Sequence, residues 1–142
     1  MSCYLNIFLV PKTKEGQTEE PKPLCLMSYC GSSPVYQAFK DAIYPAKAPD
    51  YTELTSEKMA DVLRDARKVV ESSKKYFEDY VAAIKELPHL SDEQVAEFSS
   101  EYVSRKDFLK ENTDTLCELE VLNFIFSDLK YSDFDKVLIN IC

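Results

Sequence analysis

The residues with the clearest capacity for chemistry are Cys30-Gly31-Ser32-Ser33-Pro34, a thiol where a strand pattern gives way to a helix start. A thiolate there faces the positive end of a helix, which lowers a thiol's pKa. The same backbone amides can hold an anion. A thiol phosphatase would add an arginine within the loop, but Arg64, Arg67 and Arg105 all lie in long helical patterns. A thiol hydrolase would add a histidine base, and His89 is the only histidine. The simplest reading of Cys30, Gly31, Ser32 and Ser33 is a strand-to-helix turn carrying a small apolar thiol, with a reactive or anion-holding site as its alternative.

Carboxylates form the second group. Glu93, Glu97 and Glu101, then Glu111 and Asp114, recur along one helical stretch, as a magnesium site for phosphate-ester hydrolysis would require. All-α nucleotide pyrophosphohydrolases use Glu-x-x-Glu followed by Glu-x-x-Asp. Glu111 and Asp114 fit the second half, but the first cluster is spaced by four. Two glycines, Gly16 and Gly31, exclude a phosphate-binding glycine loop. Cys25 and Cys30 are too far apart for a common zinc knuckle, and on a regular strand they point to opposite faces. A di-iron bundle requires a Glu-x-x-His pair on each of two helices, which a chain with a single histidine cannot supply. No catalytic residue, metal ligand or cofactor is therefore assigned. Asp133 and Asp135 read as a solvated connector.

The net charge is −8 over 142 residues, and nearly all the excess sits in residues 91–142, with five basic side chains against twelve acidic. Such a surface disfavours direct binding of nucleic acid or anionic lipid. Five cysteines, an odd number, suit reduced thiols in a cytoplasm. No apolar run is long enough to span a membrane, and no secretory signal is visible at Met1–Ile7.

The elements that must position these residues follow from periodicity. Cys3–Val10 reads as a strand with Leu5, Ile7 and Leu9 on one face. Lys12–Pro23 is a loop, and Leu24–Cys30 is a second strand antiparallel to the first. Ser33 caps a short helix with Pro34 at its first position, ended by Pro45. Tyr44–Tyr51 is an extended connector. Leu54 and Met59 form a hydrophobic staple for a long helix, and Ser91-Asp92-Glu93-Gln94 is a capping box for a second. Met59, Leu63, Ala66, Val70, Ser73, Phe77, Tyr80, Ile84 and Leu87 repeat at 4-3 spacing. So do Val95, Phe98, Tyr102, Arg105, Leu109, Asn112, Leu116, Leu119, Asn123 and Phe126. These are heptad seams facing one another in an antiparallel hairpin.

Val62, Val69, Tyr76 and Val81 widen the first seam, as a third packing layer would require. Asn112–Thr115 has poor helix propensity, so a kink or break is expected there. Leu116–Leu129 is apolar almost all round and reads as the buried half. Phe134–Cys142 completes a strand that pairs with the first. The expectation is one α+β domain over 1–142, in the order β-β-α-α-α-β. It comprises strands and a short helix (1–50), a long helical hairpin (54–130) and a further strand (134–142), with a small, mostly antiparallel sheet of about three strands.

Polar residues within a seam fix register and partner choice, which singles out Arg105, Asn112 and Asn123. Tyr80 and Tyr102 lie beside them and need partners for their hydroxyls or an exposed edge. Residues 2–12 and 26–39, Ser-Cys-Tyr-Leu-Asn-Ile-Phe-Leu-Val-Pro-Lys and Leu-Met-Ser-Tyr-Cys-Gly-Ser-Ser-Pro-Val-Tyr-Gln-Ala-Phe, resemble small uncharacterised proteins of tailed bacteriophages of gut bacteria. The resemblance implies a phage setting and carries no site residue. The sequence favours a non-enzymatic interaction or assembly module, possessing a hairpin for self-association or for a protein partner. A small metal- or thiol-dependent hydrolase is the alternative. An acidic mimic of nucleic acid that binds a host protein is the second alternative, resting on residues 91–142.

Overall fold

Alternating apolar residues from Tyr4 to Pro11 build β1, and their register identifies the sheet around it. A computed structural model of the chain describes residues 3–19, 21–129 and 134–142. The elements are β1 (Tyr4–Pro11), β2 (Leu24–Cys30), α1 (Pro34–Ile43), β3 (Thr52–Glu53), α2 (Ser56–Lys85), α3 (Asp92–Leu129) and β4 (Phe134–Ile141). The fold is α+β, with two long helices and an antiparallel sheet in the order β2-β1-β4-β3. β4 pairs with β1, as the terminal apolar run required. The fourth strand, β3, escaped the sequence because two residues carry no detectable alternation. Asp133 lies outside the described residues.

Two compact units divide the chain, residues 1–65 with 118–142 and residues 66–117. The first holds a conventional core. Leu5, Ile7 and Leu9 of β1 are buried with Val137 and Ile139 of β4, against Val35, Tyr36 and Phe39 of α1. Leu54, just before α2, joins them with Met59, Val62 and Leu63 from its start, and Leu119 and Leu122 from the end of α3. The staple is thus real: Leu54 and Met59 are both buried, and the Thr55 hydroxyl accepts from the Lys58 amide at 3.2 Å. Ser33 caps α1 through a 3.2 Å bond from Val35 N–H, and Tyr44 closes it in the left-handed region (φ 46°). The Tyr44–Tyr51 connector follows β4, with Ile141 N–H donating to Ala46 O and Ala48 N–H to Ile141 O, both at 2.8 Å.

One expectation about this unit fails. Of residues 116–128 in the apolar Leu116–Leu129 stretch, Leu119 and Leu122 are buried, whereas Val121, Phe124 and Ile125 are exposed, Phe124 by 76%. A helix lying on one layer buries a single stripe, whatever its other faces contain.

The second unit consists of α2 from Ala66, the turn at Pro88, and α3 as far as Cys117. The capping box forms as read: Gln94 N–H donates to the Ser91 hydroxyl at 3.3 Å and Ser91 N–H to Gln94 Oε1 at 3.0 Å. The expected break at Asn112–Thr115 does not occur, and α3 runs without interruption through it. The threonines are accommodated by local bonds, Thr113 Oγ1 to Leu109 O and Thr115 Oγ1 to Glu111 O, each 2.8 Å.

Candidate functional site

The seam of the second unit is where the sequence places its register residues. Ala66, Val70, Ser73, Phe77, Tyr80 and Ile84 of α2, with Phe98, Arg105, Leu109, Asn112 and Leu116 of α3, are all buried or half-buried. Helical spacing therefore identified the facing sides along the middle of the hairpin, but not at Leu87, Val95 and Tyr102, which were read as seam residues and are exposed at 44%, 47% and 38%. It misjudged the depth. Ser73 is the only side chain here that reaches full burial, at 2% exposure. Val69 and Tyr76, read as part of a widened stripe, are 46% and 49% exposed. A widened stripe needs a third layer, and no element of this unit supplies one.

Polar and aromatic contacts occupy the seam instead. Asn112 Nδ2 donates to the Ser73 hydroxyl at 2.7 Å, and that hydroxyl donates to Val69 O at 2.7 Å. Arg105 sits over Tyr76, its guanidinium carbon 3.6 Å from the ring centroid, and 4.3 Å from the Tyr80 centroid. It donates to Glu101 Oε1 at 2.7 Å and to Tyr76 O at 3.2 Å. A planar cation between two rings satisfies carboxylate, carbonyl and π-faces at once, which an ammonium cannot do. Tyr80 donates to Phe98 O at 3.2 Å. Burial, Glu101 and Glu97 push its hydroxyl pKa up, against the opposing pull of Arg105. Tyr102 stacks at a tilt on Phe77, centroids 5.2 Å apart.

Of the five proposed register residues, the structure unites Arg105 with Tyr80, and links Asn112 to the same seam through Ser73. Tyr102 stands on the flank beside Phe77. Asn123 belongs to the other unit, half-buried, and takes no part in these arrangements.

Beside Arg105 opens a groove of about 690 Å³, walled by Lys68, Val69, Ser72 and Tyr76 of α2 and by Glu101, Ser104 and Phe108 of α3. Phe108 is 50% exposed. Heptad reading missed Phe108 because it sits one position off the seam. A large aromatic on an otherwise polar helix face was the signal available.

The thiol turn lies in the first unit. Cys30 is exposed and ends β2. Its pKa is lowered, first by the Ser32 hydroxyl 3.4 Å from the sulfur and then by the Ser32 amide, against an opposing effect of burial, with the Gly31 amide adding least. Gly31 packs so closely on the β1 entrance that an added Cβ would meet Cys3 O at 3.2 Å. The Ser33 hydroxyl is committed to its cap. The turn can favour a thiolate, but no arginine or histidine joins it.

Cys25 requires a correction. The β1–β2 register shifts between Ile7 and Phe8, pairing Ile7 with Met27 and Phe8 with Cys25. The irregularity absorbs Leu26 and brings Cys25 onto the same face as Ser28 and Cys30. Its sulfur lies 3.7 Å from the Ser28 hydroxyl. On this face Ser28 donates to Asn6 Oδ1 at 2.7 Å, while Asn6 Nδ2 approaches Asn140 Oδ1 (3.2 Å) and Cys142 Sγ (3.0 Å). Among the described residues no three His, Cys, Asp or Glu side chains converge as metal ligands. Glu101 is engaged by Arg105, and Glu93, Glu97, Glu111 and Asp114 are exposed. Among the described residues no helix is long and apolar enough to cross a membrane. No known family profile, curated protein or solved structure matches the chain.

Proposed function

We propose that the protein is a non-enzymatic interaction module that binds protein through residues 66–117. One observation carries the reading. The unit buries one side chain fully, Ser73, while Val69, Tyr76 and Phe108 stand about half exposed around a seated arginine in a 690 Å³ groove. Aromatic residues and arginine in a concave patch with a polar rim are the composition of interface centres rather than of ordinary surface. The rigid stacking of Arg105 lowers the entropy lost on docking. Five free thiols support a reducing, cytoplasmic setting. A phage accessory role rests on the sequence resemblance at residues 2–39 alone.

A photo-crosslinking amino acid in place of Phe108 tests the reading in cells that make the protein. Irradiation should yield protein adducts at position 108 and none at the exposed loop position Thr13. Equal, background-level labelling at both positions would refute it.

A further inference from the structure

We propose that the groove is filled by a second copy of the chain, whose hairpin packs antiparallel against the first about a two-fold axis. This rests on the interaction reading above and names its partner. The argument begins with charge along the hairpin. The half nearer the turn, residues 78–104, carries seven carboxylates against the single lysine Lys85. The other half, residues 66–77 with 105–117, carries seven basic side chains against four acidic. Each hairpin is therefore a long dipole with an acidic turn end and a basic far end. Two such arms attract head to tail and repel when their turns coincide.

The same polarity is present on the groove face itself. Its α2 wall, Val69-Ser72-Tyr76, continues at the same 3-4 spacing as Asp79-Ala83, with Glu86 just past the helix end. Its α3 wall, Phe108-Ser104-Glu101, continues as Glu97-Gln94. Asp79, Ala83, Glu86, Gln94 and Glu97 are all exposed. This face thus presents apolar and basic groups at one end, with Lys68 on the rim, and carboxylates around the small Ala83 at the other. A two-fold rotation about the middle of the hairpin superimposes each end on its complement. Such an interface is isologous and closes at two copies. Its extent is adequate: 20 residues from Ala66 to Lys85 span about 30 Å, and two helices side by side are about 20 Å wide. That face is of the order of the roughly 800 Å² per partner found in stable complexes.

Sedimentation velocity on the intact chain, from about 1 to 100 µM, tests the proposal through a charge exchange. The wild type should sediment as a dimer that weakens as salt rises. One variant carries D79K, E86K and E97K; the other carries K68E and K75E. Each alone should dissociate at least about tenfold more readily, and their equimolar mixture should recover wild-type association. Circular dichroism establishes that each variant is folded. A short bismaleimide applied to a variant carrying H89C and T115C, the latter on the groove face of α3, should join position 89 of one copy to position 115 of the other.

A wild-type chain that stays monomeric at 100 µM overturns the proposal, as does a mixture that fails to recover. Cross-linking of position 89 to position 89 overturns the antiparallel arrangement. Monomeric chain with adducts to other proteins at position 108 removes the second copy and leaves the interaction reading standing. Monomeric chain with no adduct removes both.

Discussion

The two units of this protein are held together by different physics. Among the described residues of 1–65 and 118–142, fifteen apolar side chains are buried among a four-stranded sheet, α1 and the adjoining helix ends. In residues 66–117 the interhelical seam is closed by Asn112 on Ser73, Arg105 on two tyrosines, and tilted aromatic pairs. Burial is non-directional and supplies most of the free energy of folding. Hydrogen bonds and stacked cations each contribute little net stability but tolerate few alternative registers. The first unit thus rests on burial, and the second on directional contacts that leave Val69, Tyr76 and Phe108 about half exposed.

Truncation at matched seam positions puts this contrast at risk most severely. Leu63→Ala, in the core, should cost about 2–5 kcal/mol. Leu116→Ala, at the same kind of heptad position but half-buried, should cost only about 1 kcal/mol. Equal losses in urea unfolding would break the comparison. Arg105→Ala comes next, at about 1–2 kcal/mol from lost stacking and its charge-assisted bond to Glu101. Arg105→Lys should recover less than half of that, since an ammonium cannot stack on Tyr76 and Tyr80.

Asn112→Ala removes the donor to a buried hydroxyl and should cost about 1 kcal/mol. In a double-mutant cycle with Ser73→Ala the two losses should be strongly non-additive. The surface pair Lys74–Glu78, 4.0 Å apart and exposed on both sides, should contribute within about 0.5 kcal/mol. Outside the energetic series, the thiol turn gives a pH prediction. Because Ser32 lowers the Cys30 pKa, the reactive thiolate persists to lower pH in the folded chain than in the unfolded one. Iodoacetamide should therefore label Cys30 faster in the folded chain than in the unfolded one as pH falls below 9, the ordinary thiol value. Ser32→Ala should remove that lead, and an unchanged lead would count against the hydroxyl's role.

Much of the fold was legible because it depends on local chemistry. Ser33 with Pro34, Leu54 with Met59, and Ser91 with Gln94 each announce a helix start through groups a few residues apart, and all three form. Heptad spacing likewise identified which helix faces meet along the middle of the hairpin. It could not supply depth, because burial depends on how many layers cover a face; hence Val69, Tyr76 and Phe124 are open where apolar character suggested cover. The continuity of α3 through Asn112–Thr115 was hidden for a related reason. Asn112 finds its partner 39 residues away at Ser73, a tertiary contact that outweighs local propensity. Register was equally inaccessible: one irregularity opposite Ile7 turned Cys25 to the face of Cys30. At the candidate site, Arg105 and Tyr80 were visible as polar and aromatic intrusions in a seam. Their mutual stacking, and Phe108 on the groove wall, required three dimensions.

Residue-resolved native-state hydrogen exchange, extrapolated to low protein concentration, tests the central contrast most directly. Amides of β1, β4 and α1 should exchange only through global unfolding. Those of α2 and α3 between Ala66 and Cys117 should open with a distinctly smaller free energy, and should gain protection as concentration rises. Uniform protection across both units at the lowest concentration, unaltered by adding protein, would contradict the account.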